Sequence, residues 1–154
     1  MTGRPYLRPL DPPPRSRAEA KATHPARGRR PVLYVSGDRE GRVLLARIAK
    51  RWDGVRLLFA DSGEEGLDMA VDRRPRLVVL DARLSDVDGE KLVTALRERA
   101  MPPSAPIVVL AHDGAPSERA RFVWAGASAF VTKPLNVAEI DRTVGMLLEV
   151  AGLR

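Results

Sequence analysis

Residues 77–92 read LVVLDARLSDVDGEKL, a short apolar run that ends on an aspartate and is followed by a turn and a helical pattern. Every position of 77–80 is apolar, which is expected of a strand covered on both faces. The same pattern returns as IVVL in residues 107–110. Fully covered strands are typical of a parallel sheet with helices on both sides, so this stretch predicts an α/β fold.

Outward from this stretch, short β-rich runs alternate with helical patterns along the chain. Apolar residues recur at three- and four-residue steps in the helical segments, as Ile140, Val144 and Leu147 do. The alternation predicts a doubly wound α/β domain with right-handed crossovers, whose ligands bind at the carboxyl ends of the strands. The predicted strands are 32–36, 55–59, 76–81, 107–111 and 128–132, and the predicted helices are 39–51, 63–72, 89–99, 117–125 and 137–151.

The composition fits one domain with a buried core, since 44% of the 154 residues are apolar. The chain has no cysteine, which excludes disulfides and thiolate metal sites. No apolar run is long enough to cross a bilayer, and the basic N-terminus has no apolar stretch of the kind that a secretory signal needs. We therefore expect a cytoplasmic protein with no membrane association.

The net charge of +6 lies entirely in residues 1–30, which hold eight of the 26 basic and two of the 20 acidic residues. This segment has six prolines and little apolar periodicity, so we predict a disordered basic tail over 1–30 and a folded domain over 31–154. A solvated extension is the favoured interpretation of the tail. The alternative is an arm that binds nucleic acid, anionic lipid or an acidic partner. If a chain without residues 1–30 binds DNA as well as the full chain, the arm hypothesis is wrong.

Three predicted strands end in polar residues, which the sheet would bring to one edge. Asp81 ends the third strand, Lys133 follows the fifth, and Ser36 and Gly37 stand at the end of the first, just before Asp38. A carboxylate beside a lysine can form a simple ion pair or a helix cap. It can also form a phosphoryl site, in which a carboxylate oxygen is the nucleophile and the lysine neutralises the transferred group. The residue types alone leave both interpretations open.

Two blocks of the chain resemble the response-regulator receiver domain of two-component signalling. LVVLDARLSDVDGEKL resembles the block around the phosphoaccepting aspartate of that family. Asp81 stands in the aspartate's place, and Asp86, Asp88 and Gly89 stand in the turn that follows. ADSGEEGLD, residues 60–68, resembles the block that opens the second helix.

A third block, AGASAFVTKPL at residues 125–135, resembles the fifth strand of the same family. Phe130 stands at the aromatic switch position and Lys133 at the family's lysine, and all three blocks lie in register over about 31–151. The resemblance implies a flavodoxin-like, or CheY-like, fold with a five-stranded parallel sheet in the order 2-1-3-4-5. It also implies a phosphorelay protein that is not an enzyme and that is served by a histidine kinase or a phosphotransfer protein.

The metal site departs from the family's pattern. Ser36 and Gly37 stand where the resemblance places the pair of acidic residues that holds a divalent cation. Mg²⁺ prefers about six oxygen ligands, and the resemblance leaves Asp81, the backbone carbonyl of Arg83 and, if it reaches inward, Asp38. We therefore expect a weak Mg²⁺ site and no other cofactor.

The switch also departs from the family's pattern, since Ala111 replaces the hydroxyl residue that ends the fourth strand. A phosphoryl group then lacks the contact that would couple it to Phe130, which predicts a weakened switch. The partner surface that the resemblance implies is built from the fourth helix, fifth strand and fifth helix. We predict that Trp52 and Trp124 are packing residues, with a place in this partner surface as the alternative for Trp124.

The expected function is that of a stand-alone receiver domain, because the chain ends about three residues past its last predicted helix. Asp81 is the expected phosphoacceptor, Lys133 binds the phosphoryl group, and output passes by contact with a protein partner or a second copy. The alternative, favoured by Ser36, Gly37 and Ala111, is a phosphorylation-independent pseudo-receiver that acts as a protein-interaction module. An unrelated enzyme on the same fold has little support, because no glycine-rich phosphate loop, nucleophile elbow or metal-ligand cluster is present.

Overall fold

The computed structural model describes residues 30–151, in which five strands alternate with five helices. The strands are β1 (Arg30–Val35), β2 (Val55–Ala60), β3 (Leu77–Asp81), β4 (Ile107–Ala111) and β5 (Ala129–Thr132). The helices are α1 (Arg39–Ala49), α2 (Gly63–Arg73), α3 (Gly89–Arg99), α4 (Pro116–Ala125) and α5 (Val137–Val150). The predicted basic tail lies outside the described residues, apart from Arg30, which begins β1.

The strands form one parallel sheet in the order β2-β1-β3-β4-β5, which confirms the predicted fold and strand order. Both central strands, β3 and β4, are buried at all of their residues. This burial explains their uninterrupted apolar sequences, because neither face of either strand meets water. Because the strands are parallel, the carboxyl ends of β1, β3, β4 and β5 lie at the same edge of the sheet.

Helices cover both faces of the sheet and divide the core into two layers. One layer joins the strands to α2, α3 and α4 through side chains such as Met69, Leu96 and Phe122. The other joins them to α1 and α5 through side chains such as Leu45 and Ile140. Among these five helices, none is both long enough and apolar enough to span a bilayer.

Several predicted boundaries differ from the structure by one or two residues, and two of these differences have a clear local cause. β1 stops at Val35, so Ser36 leaves the strand, although its backbone N–H still donates to the carbonyl of Ala60 at 2.9 Å. Helix α1 stops at Ala49 rather than residue 51, because the chain turns through residues 50–54 and adopts a positive φ of 74° at Gly54. Glycine adopts that backbone conformation without a steric penalty.

The two tryptophans have opposite environments. Trp52 is 2% exposed, and its indole Nε1 donates to Oδ1 of Asp141 at 2.9 Å, which confirms it as a packing residue. Trp124 is 90% exposed, so its prediction as a packing residue is wrong. In α4 the core position is taken by Phe122, and residues two apart on a helix do not share a face.

Candidate functional site

The carboxylate of Asp81 is buried at the carboxyl edge of the sheet and is bound through both of its oxygens. Nζ of Lys133 lies 3.3 Å from Oδ1, and the hydroxyl of Tyr34 lies 3.4 Å from the same oxygen. The hydroxyl of Ser36 donates to Oδ2. Three donors therefore surround a residue that is only 5% exposed, and one of them carries a positive charge.

Lys133 reaches this site because the chain continues the β-ladder for one residue beyond β5. Its backbone N–H donates to the carbonyl of Ala111, the last residue of β4, at 2.6 Å. Its side chain is 11% exposed, and Nζ lies 4.0 Å from Oδ2 of Asp38 as well as close to Asp81. The peptide bond from Lys133 to Pro134 is cis. The predicted pairing of the strand-end carboxylate with the strand-end lysine is present.

Ser36 and Asp38 are tied to each other at the end of β1. The backbone N–H of Asp38 donates to Oγ of Ser36 at 3.0 Å, while Oδ1 of Asp38 caps α1 by accepting the N–H of Glu40 at 3.0 Å. The Asp38 side chain is 45% exposed and so lies at the rim of the site. Asp38 therefore acts first as a helix cap, a role that its position before α1 favours.

The turn after β3 is fixed by Asp86 and Gly89. The Asp86 carboxylate accepts the backbone N–H groups of Gly63 and Glu64, both at 2.9 Å, at the start of α2. Burial raises the pKa of Asp86, but the backbone N–H groups outweigh this effect and hold the pKa below its usual value. A Cβ on Gly89 would lie 2.6 Å from the carbonyl oxygen of Ala82, so only glycine lets α3 begin against the backbone that follows Asp81.

The two predicted switch positions lie in the same core layer. Ala111 is buried in the core layer that packs against α2, α3 and α4. Phe130 is half-buried and packs against the same layer. The ring centroids of Phe130 and Phe122 are 5.8 Å apart. The guanidinium of Arg119 lies 5.2 Å from the Phe130 ring centroid, close enough for a cation–π contact.

Asp81 opens onto a cleft of about 380 Å³. Lys133 and Asp38 line the cleft with it, as do Arg83 and Glu118. Glu118 comes from α4 and was not anticipated, because nothing in its local sequence distinguishes it from a solvated helix residue. The cleft is large enough to admit a small phosphorylated group to the carboxylate.

A sequence model of the family described as the response regulator receiver domain matches residues 32–145. The chain belongs to this family. The matched residues run from β1 into α5, and so they include Asp81, Lys133 and the loops that carry the site.

Curated proteins similar to this receiver domain are described as transcriptional regulators. PrrA of Mycobacterium bovis is 35% identical over 121 residues, which are 79% of this chain and 51% of PrrA. KdpE of Escherichia coli, the KDP operon regulator, is 31% identical over 117 residues, which are 76% of this chain and 50% of KdpE. The chain thus spans about half the length of the curated relatives it matches.

Solved structures of receivers share the fold. The chemotaxis response regulator CheY4 of Vibrio cholerae has a TM-score of 0.72 at 22% identity, covering 78% of this chain and 99% of CheY4. The receiver domain of a sensor histidine kinase from Pseudomonas aeruginosa has a TM-score of 0.68 at 21% identity, covering 80% of this chain and 98% of that domain. That domain is described with a magnesium ion coordinated in its active site cleft.

The side chains at the end of β1 do not fit the acidic cation site that the family resemblance implies. The hydroxyl of Ser36 donates its proton to Asp81, and Gly37 has no side chain that could bind a cation. Asp38 caps α1 through Oδ1. Within the described part of the chain, no group of three or more His, Cys, Asp or Glu side chains is placed to hold a metal ion. The weak Mg²⁺ site expected from Asp38, Asp81 and the carbonyl of Arg83 stays a prediction.

Tyr34 is a site residue that its sequence context does not reveal. Burial, and then the negative charge of Asp81, raise the pKa of the Tyr34 phenol, so the hydroxyl stays protonated and able to donate. The available signal was a hydroxyl-bearing aromatic residue in an otherwise apolar strand, two positions before Ser36. Such a residue is usually a packing residue, and only the fold shows that its oxygen faces Asp81.

Proposed function

We propose that the chain is a phosphorelay receiver whose phosphoacceptor is Asp81 and whose phosphoryl-binding residue is Lys133. The observation that carries this proposal is the 3.3 Å approach of the Lys133 ammonium to the Asp81 carboxylate, at the floor of an open cleft. A histidine kinase or a phosphotransfer protein is the donor that fits the family. The receiver is a signalling module rather than an enzyme, and its cytoplasmic location and stand-alone nature stay predictions.

The chemistry is a direct transfer to a carboxylate. An oxygen of Asp81 attacks the phosphorus of a phosphohistidine or of acetyl phosphate and forms a P–O bond. The bond from phosphorus to the imidazole nitrogen or the acetate oxygen breaks, and the leaving group keeps the electron pair. The ammonium of Lys133 offsets the charge that gathers on the phosphoryl oxygens, and its burial strengthens that interaction. A single cationic group supports a slow reaction.

Output is proposed to pass through protein contact on the surface formed by α4, β5 and α5. The exposed apolar side chains of this surface favour a protein partner or a second copy of the chain over a polar ligand. Trp124 is 90% exposed, and Val123 and Met146 are 58% and 59% exposed. Phe130 contacts Phe122 and Arg119 of α4. Ala111, however, leaves a phosphoryl group on Asp81 without the hydroxyl link to Phe130, so we expect phosphorylation to change this surface only weakly.

Acetyl phosphate tests the proposal directly. The purified protein is incubated with acetyl phosphate and Mg²⁺, and intact mass is measured. We expect a slow addition of one phosphoryl group that Asp81→Asn abolishes and that Asp88→Asn, an exposed aspartate in the next turn, leaves unchanged. The absence of any addition, beside a control receiver that does label, contradicts the proposal.

A second candidate function is a pseudo-receiver that binds its partner without phosphorylation. It is favoured by Ala111, which removes the hydroxyl link to Phe130, and by the full set of donors on Asp81 in the resting site. Under this alternative the α4–β5–α5 surface is already competent to bind. A partner that binds untreated wild type, wild type treated with acetyl phosphate and Asp81→Asn with equal affinity would support the pseudo-receiver.

A further inference from the structure

The phenol oxygen of Tyr34 occupies a space that the protein leaves open for it. A Cβ on Gly41 would lie 2.7 Å from this oxygen and 3.1 Å from Oδ2 of Asp38, so the first turn of α1 tolerates the phenol only because residue 41 is glycine. The Tyr34 ring is fully buried and packs edge-on against Phe59, with centroids 6.3 Å apart. The hydroxyl therefore has a fixed position, 3.4 Å from Oδ1 of Asp81.

The hydroxyl of Ser36 is directed at the same carboxylate. Its oxygen accepts the backbone N–H of Asp38 at 3.0 Å, and its single proton is donated to Oδ2 of Asp81. Ser36 is fully buried, as is Tyr34. The two hydroxyls thus hold one oxygen each, and Lys133 shares Oδ1 with Tyr34.

We propose that Tyr34 is a positioning residue that, together with Ser36, holds the Asp81 carboxylate where a divalent cation would otherwise be needed. The donor set is complete without a metal ion, and the residues that would bind one are replaced by Ser36 and Gly37. The two hydroxyls fix the orientation of the carboxylate but add no charge. Charge neutralisation is left to Lys133. The proposal rests on the proposed function only in taking Asp81 as the reacting group.

The first test measures the rate of Asp81 labelling by acetyl phosphate with excess Mg²⁺ and with excess EDTA. Wild type is expected to label at rates within about twofold of each other, because its carboxylate is held without a cation. Tyr34→Phe removes one hydroxyl and keeps the ring, and it is expected to label about three- to tenfold more slowly in EDTA, the range that one hydrogen bond supplies. Val43→Ala, a change at an exposed side chain of α1 that leaves the contacts of Tyr34 intact, is the control and should label like wild type.

Gly41→Ala gives an independent variant that keeps Tyr34. The added methyl group lies at the phenol oxygen and must displace it from Asp81, so this variant should slow labelling as Tyr34→Phe does. In the double variant the methyl group meets no hydroxyl. We therefore expect Gly41→Ala with Tyr34→Phe to label no more slowly than Tyr34→Phe alone, a non-additive result.

A double-mutant cycle in urea separates this proposal from the proposed function, because it requires no phosphorylation. Tyr34→Phe should lower the midpoint of unfolding in wild type and lower it less in an Asp81→Ala background. Wild-type labelling that EDTA abolishes overturns the proposal. So does a Tyr34→Phe variant that labels like wild type and has the same midpoint shift in both backgrounds. If nothing labels while a control receiver does, the phosphoacceptor role fails, and the cycle alone decides whether Tyr34 positions Asp81.

Discussion

The ammonium of Lys133 lies 3.3 Å from Oδ1 of Asp81, and both side chains are about nine-tenths buried at the edge of the sheet. Removing one partner of a buried ion pair leaves the other charge uncompensated. Breaking this pair should therefore lower the stability as well as slow the proposed transfer, and the two effects can be measured separately.

Lys133→Met is expected to lower the free energy of unfolding by about 3 kcal/mol, at the low end of the range for a broken buried pair. The low end is expected because Tyr34 and Ser36 still donate to Asp81. Urea denaturation of wild type, Lys133→Met, Asp81→Asn and the double variant measures the coupling. The double variant should be more stable than the sum of the single changes predicts, and simple additivity would contradict an ion pair. Lys91→Met, an exposed lysine on α3, is the control.

Asp86 is expected to stabilise the fold in a pH-dependent way. Since the pKa of Asp86 is lowered in the folded state, its contribution is complete above the unfolded pKa of about 4 and is lost as the pH falls through the folded pKa. Asp86→Ala should lower the free energy of unfolding by about 1 kcal/mol at pH 7, the usual effect of losing a helix cap. The difference between the two proteins should shrink below pH 4.

Urea denaturation at pH 7 and at pH 3 checks this prediction. Asp88→Ala is the matched control, because Asp88 stands at the N-cap position of α3 without a side-chain capping bond. Its substitution should change the free energy of unfolding by less than about 0.5 kcal/mol. Equal effects of the two substitutions, or a difference for Asp86 that does not shrink between pH 7 and pH 3, would count against capping by the Asp86 carboxylate.

The fold and the central pair could be predicted because the relevant signals are local. The four consecutive apolar residues 77–80 predict β3 as a buried strand, and the parallel sheet then brings Asp81 and Lys133 to one edge. The contact of Tyr34 with Asp81 could not be predicted in this way. It depends on the space that Gly41 leaves in a helix seven residues away, and no local pattern encodes that space.

The exposure of Trp124 was missed for a related reason. The amphipathic pattern of α4 is weak, since exposed Val123 and Trp124 stand directly after buried Phe122. A large aromatic residue is more often buried than exposed, and this general preference predicts, wrongly, that Trp124 faces the core. Which residue of α4 faces the sheet is decided by packing against β5 and α3, where Phe122 meets Phe130.

The two tryptophans should differ sharply when each is replaced by alanine. Trp52→Ala removes a buried ring and its bond to Asp141, and should lower the free energy of unfolding by about 3–5 kcal/mol. Trp124→Ala should change it by no more than about 0.5 kcal/mol. If the surface around Trp124 binds a second copy, sedimentation should also show weaker self-association for Trp124→Ala. Equal losses of stability would contradict the orientation of α4.

Acidic residues at the end of β1 should create a cation dependence, which the proposed positioning of Asp81 by Tyr34 and Ser36 would make unnecessary in wild type. Ser36→Asp with Gly37→Asp places two carboxylates beside Asp81, and a Cβ on Gly37 has room, since its nearest neighbour is the carbonyl oxygen of Asp61 at 3.7 Å. Without a cation the like charges repel and the melting temperature should fall below that of wild type. Mg²⁺ should recover it, with a gain of about 2.7 kcal/mol at a hundredfold excess over the dissociation constant.

Melting curves with Mg²⁺ and with EDTA measure this effect in wild type, in the acidic variant and in Ser36→Asn with Gly37→Asn. The asparagine pair has nearly the same size and no charge, so it separates charge from crowding at the fully buried position 36. Only the acidic variant should respond to Mg²⁺. A folded acidic variant whose melting temperature does not respond to Mg²⁺ would mean that the residue types at positions 36 and 37 do not decide cation binding. A wild type that melts higher with Mg²⁺ would mean that the three donors on Asp81 do not replace the cation.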